Sequence, residues 1–280
     1  MCLQLGPKKV AGDMLTEEQI QHFHTFGFIL LRGVLNPQEL ETISREYEIG
    51  LAKVDQTPKA AGVREQRYWS NLRPDMPFIS GLLEEARFAR AAEQLYGPDV
   101  VGCDSNSNHY AGGQSPWHPD SQDRHLFGFK FAFYLQPLDG NSGALRALPG
   151  SHKSPYYDHL YDILWPNGDS SGHGINVLDA PAFVCRTNPG DVIAFSFHVW
   201  HASWGGSPDR RMVSLQYQKS PKTPEEEESI RRHVTEHIEM IKEFGWKSGS
   251  HHPEWISNPG ANPLRECWIG KLREWGYISQ

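Results

Sequence analysis

The chain predicts an antiparallel β barrel or sandwich flanked by helices. From Val100 to Tyr217 the hydrophobic residues fall in short apolar or alternating runs broken by Gly, Pro, Asn and Asp, the pattern of many short antiparallel strands. Helical periodicity precedes and follows that region. A length of 280 residues suits one large domain, since barrels and sandwiches run to about 200–250 residues undivided.

The elements are legible in order. Thr16 with Gln19 forms a capping box that opens a first helix. The apolar run Phe28 to Leu31 predicts a buried strand. Asn36 and Pro37 start a second helix whose apolar face is Leu40, Ile43, Tyr47 and Leu51. Residues 54–78 lose periodicity and carry Arg64, Arg67, Tyr68, Trp69 and Arg73. Two readings fit this stretch: an active-site flap for an anionic substrate, or a loop stapled to the barrel by its aromatics. Residues 84–96 read as a helix ended by Gly97-Pro98.

Within the strand-rich half, residues 153–180 form a long insert with Tyr156, Tyr157, His159, Tyr161, Trp165 and His173, which reads as a lid or, equally, as a packed surface loop, the lid being the preferred reading. Thr223-Pro224 followed by Glu225 to Glu228 starts a last long helix with acidic groups at its positive end. Ile230, Val234, Ile238 and Ile241 define its apolar face up to Gly245. His233 and His237 stand four apart on it, but no third ligand accompanies them, so solvated helix histidines are expected. Trp246, Trp255, Trp268 and Trp275 then predict a tail that docks on the barrel or on a second subunit.

Composition excludes several classes. A formal charge of −7 argues against a general nucleic-acid binder, which needs accumulated positive surface. The sequence has no 18-residue apolar run and no charged-then-apolar leader. Its four cysteines, Cys2, Cys103, Cys185 and Cys267, show no C-x-x-C spacing and suit a reducing compartment. The expectation is a cytoplasmic protein, monomer or homodimer, without nucleic-acid or membrane partners.

The chemistry sits in two segments, Trp117-His118-Pro119-Asp120 and Trp200-His201-Ala202-Ser203, the second followed by Arg210. With 14 histidines and 34 acidic residues in 280, a His-x-acid pair is expected once or twice by chance, and three occur, His252-Pro253-Glu254 among them. His237-Ile238-Glu239 lies on a predicted helix, where i and i+2 diverge. His118 and Asp120 follow turn residues, and an extended backbone there puts both on one face. A third ligand must come from His198 or His201, after the run from Gly190 to Phe197. Those two would face opposite ways on a regular strand, so one of them serves. Two imidazoles and a carboxylate leave three positions open on iron, enough for a bidentate 2-oxoacid and dioxygen (O2). Zinc sites more often use a closed tetrahedral set or one open position.

Five stretches in order resemble the phytanoyl-CoA dioxygenase family of Fe(II)/2-oxoglutarate oxygenases, over roughly residues 14–220. They are Thr16 to Leu30; His118-Pro119-Asp120; Asn141-Ser142-Gly143-Ala144-Leu145-Arg146 with Pro149-Gly150-Ser151-His152; Pro189-Gly190-Asp191; and His201-Ala202-Ser203 with Arg210. The family usually has Gly at the position of Ala202.

The resemblance implies a double-stranded β-helix, a jelly-roll, cupin-like barrel with flanking helices, in a single 1–280 domain with 221–280 as a Trp-rich helical extension. It implies His118, Asp120 and His201 as ligands of Fe(II), and Arg210 and Ser203 as partners of the distal carboxylate of 2-oxoglutarate. A guanidinium offers a planar fork of donors matched to a carboxylate. Arg211 is the rival for that role, and strand alternation turns it the other way. Lys130, inside a Phe-rich run, either meets a carboxylate of the co-substrate or substrate or is a solvated edge-strand lysine.

The implied reaction couples decarboxylation of 2-oxoglutarate, giving succinate and carbon dioxide, to oxidation of an unactivated C–H bond, most often hydroxylation. Asp120 fills the position that halogenases leave to chloride, which argues against halogenation. The expected substrate is a small or medium polar metabolite with an anionic group. The alternatives are a silent metal- and 2-oxoglutarate-binding protein, or a zinc-dependent hydrolase using the same triad.

Overall fold

A computed structural model describes residues 14–54, 66–165, 176–206, 209–243, 245, 249–260 and 262–279. The elements in chain order are α1 (Glu17–Phe26), β1 (Phe28–Leu31), α2 (Pro37–Lys53), β2 (Gln66–Ser70), α3 (Pro77–Leu82), α4 (Ala86–Tyr96), β3 (Val100–Tyr110), β4 (Ser115–His118) and β5 (Gly128–Tyr134). They continue as β6 (Leu145–Ala147), α5 (Tyr156–Leu164), β7 (Phe183–Val184), β8 (Val192–Ser196), β9 (His201–Ser203), β10 (Arg210–Lys219), α6 (Pro224–Glu243), α7 (Pro253–Ser257) and α8 (Pro263–Trp275).

Two antiparallel sheets make the barrel. One has six strands in the order β1-β8-β5-β10-β3-β2, the other four in the order β4-β9-β6-β7. This is the predicted double-stranded β-helix with flanking helices. The predicted capping box forms at Thr16 with Gln19, and a second one, not read from the sequence, forms at Asn36 with Glu39, so each helix begins where its first free amides find side-chain acceptors.

Alternation along the central strands sorts side chains between two environments. On β5, Phe129, Phe131 and Phe133 point outward into the large core beneath the helices, and on β10 Val213, Leu215 and Tyr217 do the same. The intervening Lys130 and Tyr134 of β5, and Arg210, Met212 and Gln216 of β10, line the barrel interior. The helices thus cover the outer face, and the inner face is left for polar chemistry.

Two stretches differ from the sequence expectations, and a third, the tail, docks on the barrel as expected. In 54–78, the described part pairs as β2 along β3 and continues into α3. Trp69 is buried against Tyr47, with ring centroids 4.9 Å apart, so the aromatics fix an edge strand. Arg64 lies outside the described residues. In 153–180, α5 buries Tyr157, Leu160 and Leu164 in a cluster with Trp117, Trp165 and Trp200, and that packing holds it against the barrel wall; residues 166–175, with His173, are outside the description. In the tail, Trp255, Trp268 and Trp275 join the large core, and Trp268 lies edge-on to Tyr217 at 6.1 Å. Trp246 is not described. Cys103 and Cys185 are buried free thiols, whereas Cys267 is disulfide-bonded, a pairing the scattered spacing does not suggest. Among the described residues no helix is long and apolar enough to cross a membrane.

Candidate metal centre

His118 ends β4 and lies directly opposite His201 at the start of β9. Asp120 follows two residues beyond the strand end, where Ser121 donates its amide to the Phe197 carbonyl at 3.0 Å. One donor atom from each of His118, Asp120 and His201 falls within 4.8 Å of the others, the one such group of three or more among the described residues. The imidazoles are preset for coordination. His118 Nδ1–H donates to the Pro116 carbonyl and His201 Nδ1–H to the Val199 carbonyl, each at 2.8 Å, which fixes the tautomer whose lone pair is on Nε2. Asp120 Oδ2 is buried without a hydrogen-bond partner. A buried carboxylate oxygen with nothing to accept is costly, and a cation beside two imidazoles would satisfy it. The donor set therefore fits a divalent metal with open positions.

The surrounding structure holds this geometry. Trp200, fully buried, donates its amide to Ser151 Oγ at 2.9 Å and accepts from the Leu148 amide at 2.9 Å. The glycine-rich turn before Ser151 thereby fixes the residue preceding His201. Ala202 packs into the tryptophan cluster, so its methyl fills space there.

His198 and His201 separate because β8 ends at Ser196 and the chain turns into the other sheet. His198 donates Nε2–H to the Asp123 carbonyl at 2.8 Å and meets Tyr157 edge-on, away from the triad. Burial pushes its imidazole down to about 4. Burial likewise pushes His201 down to about 3, with His118 adding to the effect, so the ring stays neutral as a ligand must. Burial opposes ionisation of Asp120, but Lys130, followed by His201 and His118, outweighs it and holds the carboxyl below its ordinary range.

Lys130 is neither solvated nor on an edge strand: β5 sits between β8 and β10, and its ammonium lies 2.9 Å from Asp120 Oδ1. Arg210 is 3 % exposed. Its Nη1 donates to the Gly143 carbonyl at 2.8 Å, its guanidinium stacks 4.2 Å from the Tyr110 ring, and its Nε has no partner. Gly143 has φ +95°, and a Cβ there would stand 2.8 Å from Arg210 Nη1, so glycine makes room for the guanidinium. Ser203 Oγ accepts from the Ser115 amide at 3.2 Å, leaving its own proton to donate. Arg211 turns outward to Asp209 and Glu48.

These groups share one cavity of about 380 Å³. Neither Arg67 nor Arg73 is on its wall: Gln66 and Tyr68 face it from β2, and Arg73 pairs with Asp75 at 3.0 Å. The expectation of an anionic substrate loses their support. The wall instead includes His233, His237 and Met240 of α6; His237 is buried and His233 half-buried, so neither is the freely solvated helix histidine expected. From Ile230 these residues fall at i+3, i+7 and i+10, one stripe of a helix. The apolar face read from the sequence was rotated from this one, and Ile238 is 38 % exposed.

The family model described as phytanoyl-CoA dioxygenase (PhyH) matches residues 23–213. The peroxisomal phytanoyl-CoA dioxygenase of Rattus norvegicus is 24% identical over 237 residues, 75% of this chain and 70% of that protein. The ectoine dioxygenase of Bordetella bronchiseptica is 23% identical over 157 residues, 51% of each chain. Among solved structures, HygX from Streptomyces hygroscopicus with nickel and 2-oxoglutarate bound superposes with a TM-score of 0.59 at 18% identity, covering 74% of this chain and 88% of that one. The epimerase SnoN from nogalamycin biosynthesis gives 0.58 at 17% identity, covering 72% and 82%. The shared barrel and the match across more than half of the sequence place this chain in the phytanoyl-CoA dioxygenase (PhyH) family of Fe(II)- and 2-oxoglutarate-dependent oxygenases.

Proposed function

We propose that His118, Asp120 and His201 hold the ferrous ion, that Arg210 and Ser203 bind the distal carboxylate of 2-oxoglutarate, and that the chain hydroxylates an unactivated C–H bond of a small or medium polar metabolite, releasing succinate and carbon dioxide. The observation that carries this reading is one cavity with two sites on its wall: a three-residue metal-binding group, and a buried guanidinium beside a hydroxyl. When bound, a ferrous ion would supply the open positions at which dioxygen and 2-oxoglutarate meet, while 2-oxoglutarate and the C–H bond would each supply two electrons.

The chain's own residues bind and orient. His118 and His201 keep their Nδ1 protons on backbone carbonyls and present Nε2. Asp120 contributes its partnerless Oδ2. Arg210, stacked on Tyr110 and tied to Gly143, is preorganised for a carboxylate, and Ser203 adds a hydroxyl donor. Lys130 balances the charge of Asp120 within the barrel. Purified protein supplied with Fe(II), ascorbate and 2-oxoglutarate should form succinate, and a metabolite screen by mass spectrometry should find products heavier by one oxygen. No succinate under any substrate, including no uncoupled turnover, would favour a silent binding protein.

A further inference from the structure

Helix α6 lies beyond the segment matched by the family model, which ends at residue 213, yet it closes the cavity that holds the triad. Resting on the oxygenase reading above, we propose that α6 forms the substrate-binding wall, with His233 and His237 as specificity-determining side chains, and that the substrate is a compact, uncharged molecule rich in hydroxyl groups.

Charge is the first argument. Among the described residues on the cavity wall the formal charges are Asp120, Lys130 and Arg210. Asp120 and Lys130 pair with each other, and Arg210 lies six residues along β10 from Gln216, beside Gly143. The wall contributed by α6 consists of His233, His237 and Met240, with no formal charge. A charged substrate group placed there would be desolvated without a counter-ion, a large cost.

The second argument is an unmet polar atom. His237 is 8 % exposed, lines the cavity, and has its Nε2 buried without a partner. Its ring lies 5.5 Å from that of Tyr277, whose hydroxyl donates to Gln218 at 2.9 Å, so the imidazole is held between α6 and the end of the chain. Burial pushes both His233 and His237 down to about 4. Neutral imidazoles and carboxamides each offer one face that donates and one that accepts, the complement of a hydroxyl.

Size is the third. The cavity of about 380 Å³ must also take 2-oxoglutarate, and ligand sites run from about 300 to 1,000 Å³. A long acyl chain or a coenzyme A thioester would have to extend well beyond what remains. Met240 supplies apolar contact on the same wall.

The test reads succinate release from the full chain with Fe(II), ascorbate and 2-oxoglutarate, using three probe sets: uncharged hexoses and cyclitols, their phosphate esters, and acyl-CoA thioesters. The expected result is that members of the uncharged set stimulate release above the unstimulated rate. His237→Phe should then raise the half-saturating probe concentration about tenfold, the loss of one buried hydrogen bond. His237→Gln should recover part of that loss, and Glu239→Gln on the exposed face of α6 should change nothing. Stimulation only by phosphate esters or thioesters, no response to the uncharged set with unstimulated turnover intact, or indifference to His237→Phe would each overturn the proposal. Wild-type protein that forms no succinate at all would instead overturn the oxygenase reading on which it rests.

Discussion

The Lys130 ammonium lies 2.9 Å from Asp120 Oδ1, and both side chains are largely buried inside the barrel. A metal-ligating carboxylate is thus charge-balanced before any metal arrives. Lys130→Met should leave that carboxylate uncompensated in metal-free protein, a loss of about 1–3 kcal/mol. A bound cation would restore the balance, so the gap between the melting temperatures in EDTA and in Mn(II) should widen relative to wild type. An unchanged melting temperature in EDTA would show that the pair contributes nothing.

Iron content should separate the two neighbouring histidines. The protein should bind about one Fe(II) per chain, as one facial group of three ligands implies. His201→Ala should lose the metal and the activity, whereas His198→Ala should keep most of both, since His198 is tied to the Asp123 carbonyl. The reverse outcome would reassign the distal ligand.

Arg210 and Arg211 should differ sharply. Removing Arg210 takes away a buried, charge-assisted contact and should cost about 2–5 kcal/mol in 2-oxoglutarate binding, roughly thirtyfold to several thousandfold in KM. Arg211, on the surface with Asp209 and Glu48, should cost about 0–1 kcal/mol. Arg210→Lys should recover only part, because a point charge does not reproduce the fork. Equal KM changes in the two alanine variants would sink the register.

Gly143→Ala offers an independent check on the same pocket. The added methyl meets the guanidinium at 2.8 Å from a backbone at φ +95°, a conformation costing about 1–2 kcal/mol for a residue with a Cβ. We expect a lower melting temperature together with a raised 2-oxoglutarate KM. A raised KM without destabilisation would mean that the turn relaxes.

Acid should destabilise the fold through its buried histidines. Burial pushes His251 down to about 3, with His237 adding to it, against a hydrogen bond to the Cys103 carbonyl. Below about pH 6.5 the unfolded chain takes up a proton that the folded chain refuses, so stability present above that pH falls as pH drops towards 3. The slope is up to about 1.4 kcal/mol per pH unit for each such group. His251→Gln should make the fall in urea midpoint between pH 7 and 5 shallower; an identical slope would count against this assignment.

What the sequence determined by itself was whatever is specified by near neighbours or by a motif. The capping box at Thr16, the helix start at Asn36, the Phe–Lys–Phe alternation of β5 and the outward turn of Arg211 follow from backbone periodicity and local hydrogen bonding, and all were legible. The metal group was legible too, because His118 and Asp120 are two residues apart and His201 carries a family motif. The tertiary structure alone decided what depends on which distant segments pack together. Lys130 could be seen to sit inside a strand, but its partner Asp120 comes from the loop after another strand. Residues 66–70 look like an irregular loop until β3 offers an edge to pair with. His233 and His237 look solvated on an isolated helix, because a stripe of His and Met has little apolar contrast. Only the docking of α6 on the barrel mouth, a contact between segments more than a hundred residues apart, buries His237, half-buries His233 and puts both on the cavity wall.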